Sequence, residues 1–320
     1  MLSGFADNVL PFWQAKARSG CKMCLATLVG IDGSAPRPLG SQIAVADDGD
    51  AQGYITGGCA EASIVAEALR LIELGENRLV RYGEGSPYKD IALPCGSGID
   101  VYFDTKIEPG LVAGILENLE TRQPVALASN IANGTSQAAP YESRLPVLIA
   151  QIFTRPYVPH FQLFIAGKGP VVPALANLAH HAGVSVVAAS PEPATLAEIT
   201  DTDILTSHVN APEEFAPRPL DPWCAAVTLF HDHEWEPPIL THFLGSDCFY
   251  VGALGSRKTH AIRLEALFAN GVPTDQLESL KGPVGLDIQA STPTEVAISI
   301  LAEIIQTYRT AERGPPRWQR

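Results

Sequence analysis

The sequence predicts an α/β protein in two parts: a mixed α+β domain over residues 1–157, then a Rossmann-like, doubly wound parallel sheet over residues 158–320. Three observations lead there. In the second half, short apolar runs alternate with helical patterns, the signature of a parallel sheet with crossover helices. In the first half, short strand-like runs surround Gly-rich turns, with helical patterns between them. Where the halves meet, the segment TRPYVPH, Thr154 to His160, carries two prolines that interrupt the strand-like run LPVLIAQIF.

In the first half, CKMCLATLVG reads as a strand, and SQIAVADDGDAQGYIT reads as a hairpin on its Asp-Gly and Gly signals. Ile64, Val65, Ala68, Leu69 and Ile72 share helical spacing, so a helix is expected from about Glu61 to Leu74, with Gly75 as its stop. IDVYF is a strand, Gly110 to Leu119 a helix, and VALAS a further strand. In the second half the order is strand FQLFIAG, helix VVPALANLAHHAG, strand VSVVAAS, strands AAVTLFH and CFYVGALG, and a helix from about Thr259 to Asn270. The chain closes on STPTEVAISILAEIIQTYR, where Thr292 can cap a helix, Pro293 fills its first position and Glu295 completes a capping box.

With 46% hydrophobic and 18% charged residues over 320 positions, the chain has the apolar content for two cores. No run of about eighteen apolar residues and no secretory pattern is present, so a cytoplasmic protein without a membrane partner is expected. A formal net charge of −13 and the lack of a basic, aromatic-laced run argue against nucleic acid. Six cysteines are too few for a disulfide scaffold and are expected as thiols.

Several turns carry chemistry. Gly167-Lys168-Gly169 follows an apolar strand and opens a helix, where backbone amides and the helix dipole can meet a phosphate. Gly255-Ser256-Arg257, followed by Lys258, repeats that arrangement with two cations opposing the helix dipole, which a bound anion would compensate. His231-Asp232-His233 follows a strand and so stands at the carboxyl edge of the sheet, where doubly wound folds bind ligands. The two imidazoles could join a metal site, but spacing identifies no third ligand.

Cys59, after Gly57-Gly58 and two residues before Glu61, sits at a helix start whose dipole favours thiolate. Cys95, followed by Gly96, lies in a second Gly-rich turn, LPCGSG, where backbone can approach a ligand closely. The alternative for each is a small buried apolar residue. Cys21 and Cys24 have CxxC spacing but no zinc or thioredoxin context, and read as structural thiols, as do Cys224 and Cys248. Gly33-Ser34-Ala35-Pro36-Arg37-Pro38 is a stiff loop presenting the Ser34 hydroxyl and the phosphate-capable Arg37 fork.

Taken in order, GSAPRPLG, GYITGGCAEA, LPCGSGIDVYF, the Gly167 turn, FHDHE, YVGALGSRKTH, GPVGLDI and TPTEVAISILAEI make nearly the whole chain resemble the XdhC/CoxI family. The resemblance implies an XdhC/CoxI-type domain followed by a Rossmann-like domain. It also implies a maturation factor that binds molybdopterin cofactor, supports its sulfuration and delivers it to xanthine dehydrogenase. Partners would be that apoenzyme, a sulfur donor such as a cysteine desulfurase, and a second copy of the chain. In this reading Cys59 and Cys95 ligate the metal or relay sulfur, Ser34, Arg37, Gly57, Gly58, Glu61 and Gly96 line the cofactor with them, the His231–His233 segment adds polar contacts, and the Gly167, Gly169 and Gly255–Arg257 turns take phosphate.

The main rival is an NAD(P)-dependent oxidoreductase. Val172 at the third glycine position, and a strand ending in Ala188-Ala189-Ser190 without a ribose carboxylate, count against it. A metal-dependent hydrolase built on His231, Asp232 and His233, and a docking adaptor, are further alternatives.

Overall fold

Strand β1 (Met23–Asp32) shows why the first half folds as it does. Its run MCLATLVG is buried almost end to end because both of its faces are covered. Alternate residues point to opposite faces: Cys24, Ala26 and Leu28 join one core and Met23 and Leu25 another.

The computed structural model describes residues 8–33, 35–86, 98–215, 220–230 and 235–313. It divides into a unit spanning Ala6–Pro159 and one built on His160–Arg320. In the first unit, helix α1 (Leu10–Arg18) precedes β1, β2 (Gln42–Ala46) and β3 (Ala51–Gly53); α2 (Glu61–Leu74), β4 (Arg78–Gly83), β5 (Gly98–Asp104) and α3 (Pro109–Glu120) follow. These strands form an antiparallel sheet in the order β3-β2-β1-β5-β4. Helix α2 buries Ile64, Ala68, Leu71 and Ile72 against one face, and α1 and α3 cover the other through Leu10, Trp13, Val112 and Ile115.

The unit ends in a second antiparallel sheet of β6 (Val125–Asn130), β7 (Thr135–Ala139), β8 (Val147–Ile149) and β9 (Ile152–Tyr157), ordered β7-β6-β9-β8. Here the structure differs from the sequence reading. LPVLIAQIF is not one strand: it turns back on itself at Ala150 and Gln151, both in the left-handed region at φ 47° and 69°. Such a two-residue turn matches the twist of a hairpin. Nor does Pro156 end the strand, since β9 runs on to Tyr157 and pairs with β6 throughout.

The second unit contains β10 (Gln162–Gly167), α4 (Val171–His181), β11 (Ser185–Ser190), α5 (Pro193–Ala197), β12 (Leu205–His208), β13 (Cys224–Leu229), α6 (Glu236–Leu244), β14 (Tyr250–Ala253), α7 (Arg257–Ala269), α8 (Thr274–Ser279) and α9 (Pro293–Arg313). All five strands are parallel, in the order β12-β11-β10-β13-β14. Leu163 and Ile165 of β10 pack with residues of α4 and α9, whereas Phe164 and Ala166 pack with α6 and α7. This is the doubly wound sheet expected, with the strand order reversing between β10 and β13, the place where such folds bind ligands. The capping box of α9 is formed: Thr292 Oγ1 accepts from the Glu295 amide at 3.3 Å, and the Glu295 carboxylate accepts from the Thr292 amide at 2.9 Å.

Candidate functional site

In the first unit the chemistry gathers where β3 leads into α2. Residues 55–58 wrap their amides around one carboxylate. Glu61 Oε1 accepts from the amides of Ile55, Thr56 and Gly57, and Oε2 from the Gly58 amide and the Thr56 hydroxyl, at 2.5 to 3.1 Å. The wrap requires positive φ at two successive positions, 78° at Gly57 and 119° at Gly58, which is why glycines stand there. Thr56 Oγ1 in turn accepts from the Ala60 amide at 2.9 Å, closing the start of α2. Burial pushes the Glu61 carboxyl up, but the hydrogen bonds from Thr56 and Gly58 outweigh it and hold the group at about 2.

Glu61, expected among the cofactor ligands, therefore has both oxygens engaged with its own loop, and it fixes the backbone that carries Cys59. The Cys59 side chain is exposed, just before the helix. A Cβ at Gly57 would stand 4.0 Å from Pro36 Cβ, so the loop bearing Arg37 lies beside this one, and nothing approaches a Cβ at Gly58 within 4 Å. The structure thus brings the Pro36–Arg37 loop and the Gly57–Cys59 loop together with open space outside Gly58. Cys24 is buried in the core, where burial pushes its thiol well up, and Cys248 is raised by burial to about 11; both are packing thiols, as expected.

In the second unit the two glycine turns differ. At the first, a Cβ on Gly167 would come within 2.6 Å of Leu229 Cβ, so this glycine serves the close approach of β10 and β13. The Lys168 amide donates to Leu229 O at 3.2 Å and the Gly169 amide to Thr195 Oγ1 at 3.0 Å, while Thr195 donates to Glu192 at 2.9 Å. Two amides expected to meet phosphate are thus partnered within the chain, and Val172 fills the core at the helix start. At the second, Ser256 caps α7 by accepting from the Thr259 amide at 3.1 Å, and Arg257 and Lys258 stand exposed in the first turn.

Beneath that second turn lies a pair the sequence reading missed. The Arg263 guanidinium binds Glu236 through Nε at 3.1 Å and Nη2 at 3.0 Å, and Nη2 also donates to Leu254 O at 2.6 Å; both side chains are buried. A Cβ on Gly255 would sit 3.4 Å from Arg263 Nη2. His260 packs against Gly282, where any side chain would collide with its ring. Burial and the Arg263 charge push the His260 imidazole down, favouring its neutral form.

Residues 163–304 match the XdhC Rossmann domain, and residues 17–83 match the XdhC and CoxI family. The chain is 33% identical over 297 residues to the molybdenum cofactor insertion chaperone PaoD of Escherichia coli, covering 93% of this chain and 87% of that protein. The chain belongs to the XdhC/CoxI family. A second XdhC/CoxI-type relative, a probable xanthine dehydrogenase subunit of Bacillus subtilis, is 27% identical over 322 residues, covering 89% of this chain and 93% of that one. The crystal structure of a xanthine dehydrogenase from Bacillus halodurans shares the fold, with a TM-score of 0.76 at 23% identity over 97% of this chain and 98% of that one.

For this XdhC/CoxI chain, Ser34, Cys95, Gly96, His231, Asp232 and His233 lie outside the described residues. Among the described residues, one group has metal-ligand spacing: His180, Asp201 and Asp203, at the opposite end of the parallel sheet from the glycine turns, where His180 pairs with Asp201 at 3.0 Å. No described helix is long and apolar enough to cross a membrane. The Glu236–Arg263 pair had no signal in the sequence, since its members are on different helices 27 positions apart. The Glu61 clasp had one: a Gly-Gly pair three residues ahead of a carboxylate at a helix start.

Proposed function

We propose that this chain carries molybdenum cofactor as cargo, shields it, supports its sulfuration and delivers it to an apoenzyme of the xanthine dehydrogenase type. The observation that carries the reading is the Cys59 loop: an exposed thiol on a backbone locked by Glu61, with open space in front of Gly58. The likeness to PaoD over 93% of the chain supports the cargo assignment. A thiol is a soft donor suited to a sulfur-ligated metal. A locked loop presents it without an ordering cost at each loading.

The same thiol supports sulfuration. As thiolate, Cys59 attacks the terminal sulfur of a donor persulfide, such as that on a cysteine desulfurase; the donor's thiolate leaves and a persulfide remains on Cys59. In the second unit, the α7 N-terminus with Arg257 and Lys258 offers amides and positive charge to a phosphate. The Gly167 turn, with two of its amides engaged, is the poorer phosphate site and gives an NAD(P) reading little support.

The test is transfer. The protein is loaded with the cofactor anaerobically, mixed with a molybdenum hydroxylase apoenzyme, and the recovered activity is followed. The wild type is expected to activate it and Cys59→Ala to fail while keeping its melting temperature. Equal activation by both would remove Cys59 from the cargo site.

A further inference from the structure

The second sheet of the N-terminal unit has two unlike edges. Edge strand β7 is TSQAA, short and polar. Opposite it, β8 is Val147, Leu148 and Ile149, all three exposed. With Leu145 and Ile152 they make a strip of five apolar side chains between 40 and 66% exposed. Edge strands are usually blunted with charge or proline because their free amides and carbonyls invite pairing. From Leu145 to Thr154 this segment has no charged residue, in a chain with a formal net charge of −13.

The hairpin fixes what the edge offers. β8 pairs with β9 as Val147 with Thr154, Leu148 with Phe153 and Ile149 with Ile152. In a two-residue hairpin the pair closing the turn exchanges hydrogen bonds, and the next pair does not. The Leu148 N–H and C=O therefore point to the open edge. Pro146, the next outward-facing position, has no N–H, so a long ladder cannot form. The hairpin is also braced from below: Arg155 Nε donates to Gly40 O at 2.7 Å, and Pro146 packs where a Gly40 side chain would be.

The geometry points to a second copy of this chain as the occupant, with β8 pairing antiparallel to its own symmetry mate about a two-fold axis at Leu148. In that register Leu148 faces Leu148, Val147 faces Ile149, Pro146 faces Ala150 and Leu145 faces Gln151. Two chains that repel each other overall thereby meet through residues that bring no charge together. The size of the strip sets its strength. Stable interfaces use about 20–30 residues a side; this one uses fewer than half as many, so the dimer forms and dissociates with concentration.

The experiment is sedimentation velocity on the full chain from about 1 to about 200 μM. The mass of the wild type is expected to rise from one chain toward two, and Leu148→Lys, with unchanged circular dichroism, is expected to remain at one throughout. A crosslink supplies a second measurement should that variant misfold. In a Cys21→Ser, Cys59→Ser background, Leu148→Cys is expected to oxidise to a disulfide-linked dimer, whereas Gln137→Cys on the β7 edge stays monomeric. A wild type that remains monomeric, a Leu148→Lys chain that still dimerises, or crosslinking at residue 137 but not 148 overturns the proposal. A monomeric wild type whose Leu148→Lys variant cannot activate apoenzyme overturns it as well, and assigns the strip to the acceptor instead.

Discussion

Two carboxylates hold the two candidate loops, and they do so by different means. Glu61 is half-exposed and bound by amides of the loop it organises and by the Thr56 hydroxyl. Glu236 is buried, beside the Thr228 hydroxyl, and paired with a buried arginine under the β14–α7 turn. In the first case loop shape and carboxylate are one object, and its loss is local. In the second, losing either partner leaves an unpaired charge inside the core, and the cost falls on the whole unit.

That contrast is open to test, beginning with the largest effect. Glu236→Gln, or Arg263→Met, is expected to lower the stability of the C-terminal unit by about 3–5 kcal/mol, measured by urea unfolding. A loss under about 1 kcal/mol would place the pair in contact with water. Glu61→Gln is expected to cost about 1–3 kcal/mol, since a carboxamide cannot accept from all five donors, and to raise the alkylation rate of Cys59 as the loop loosens. An unchanged alkylation rate would separate the carboxylate from the thiol.

pH sharpens the same comparison. The folded Glu61 carboxyl lies at about 2, below its ordinary 4.5. Its contribution is therefore present above pH 4.5 and is lost as pH falls from there toward 2, a dependence that Glu61→Gln should remove. His260, pushed down by burial and by Arg263, has the same sign in another window. Below pH 6.5 the unfolded chain takes up a proton that the folded chain resists, so stability should fall, and less steeply in His260→Gln. The smallest effect is at the α7 cap, where Ser256→Ala should cost about 1 kcal/mol, read as a small shift in melting temperature.

Periodic signals in the sequence read well. The helix from Glu61 to Leu74, the alternation of the second half and the capping box of α9 all follow from spacing between near neighbours. The β8–β9 hairpin did not, because Ala150 and Gln151 occupy a turn that usually shows Gly or Asn. β7 escaped for a related reason: TSQAA is a polar edge strand without alternation. At the site, Cys59 and its glycines were visible, but the direction of the loop amides was not. A Gly-rich turn at a helix start reads as an anion cradle whether the anion is a ligand or the chain's own Glu61. The partnered amides of the Gly167 turn make the same point, since Thr195 reaches it from 26 positions away.

The most direct test of the cargo reading counts cargo. Protein purified anaerobically from a molybdenum-replete host, as wild type and as Cys59→Ala, is assayed for molybdenum and for oxidised-pterin fluorescence per chain. Near-stoichiometric molybdenum and pterin are expected on the wild type, with a loss of about tenfold or more on the variant. A wild type without either, even after anaerobic reconstitution, would contradict the cargo role.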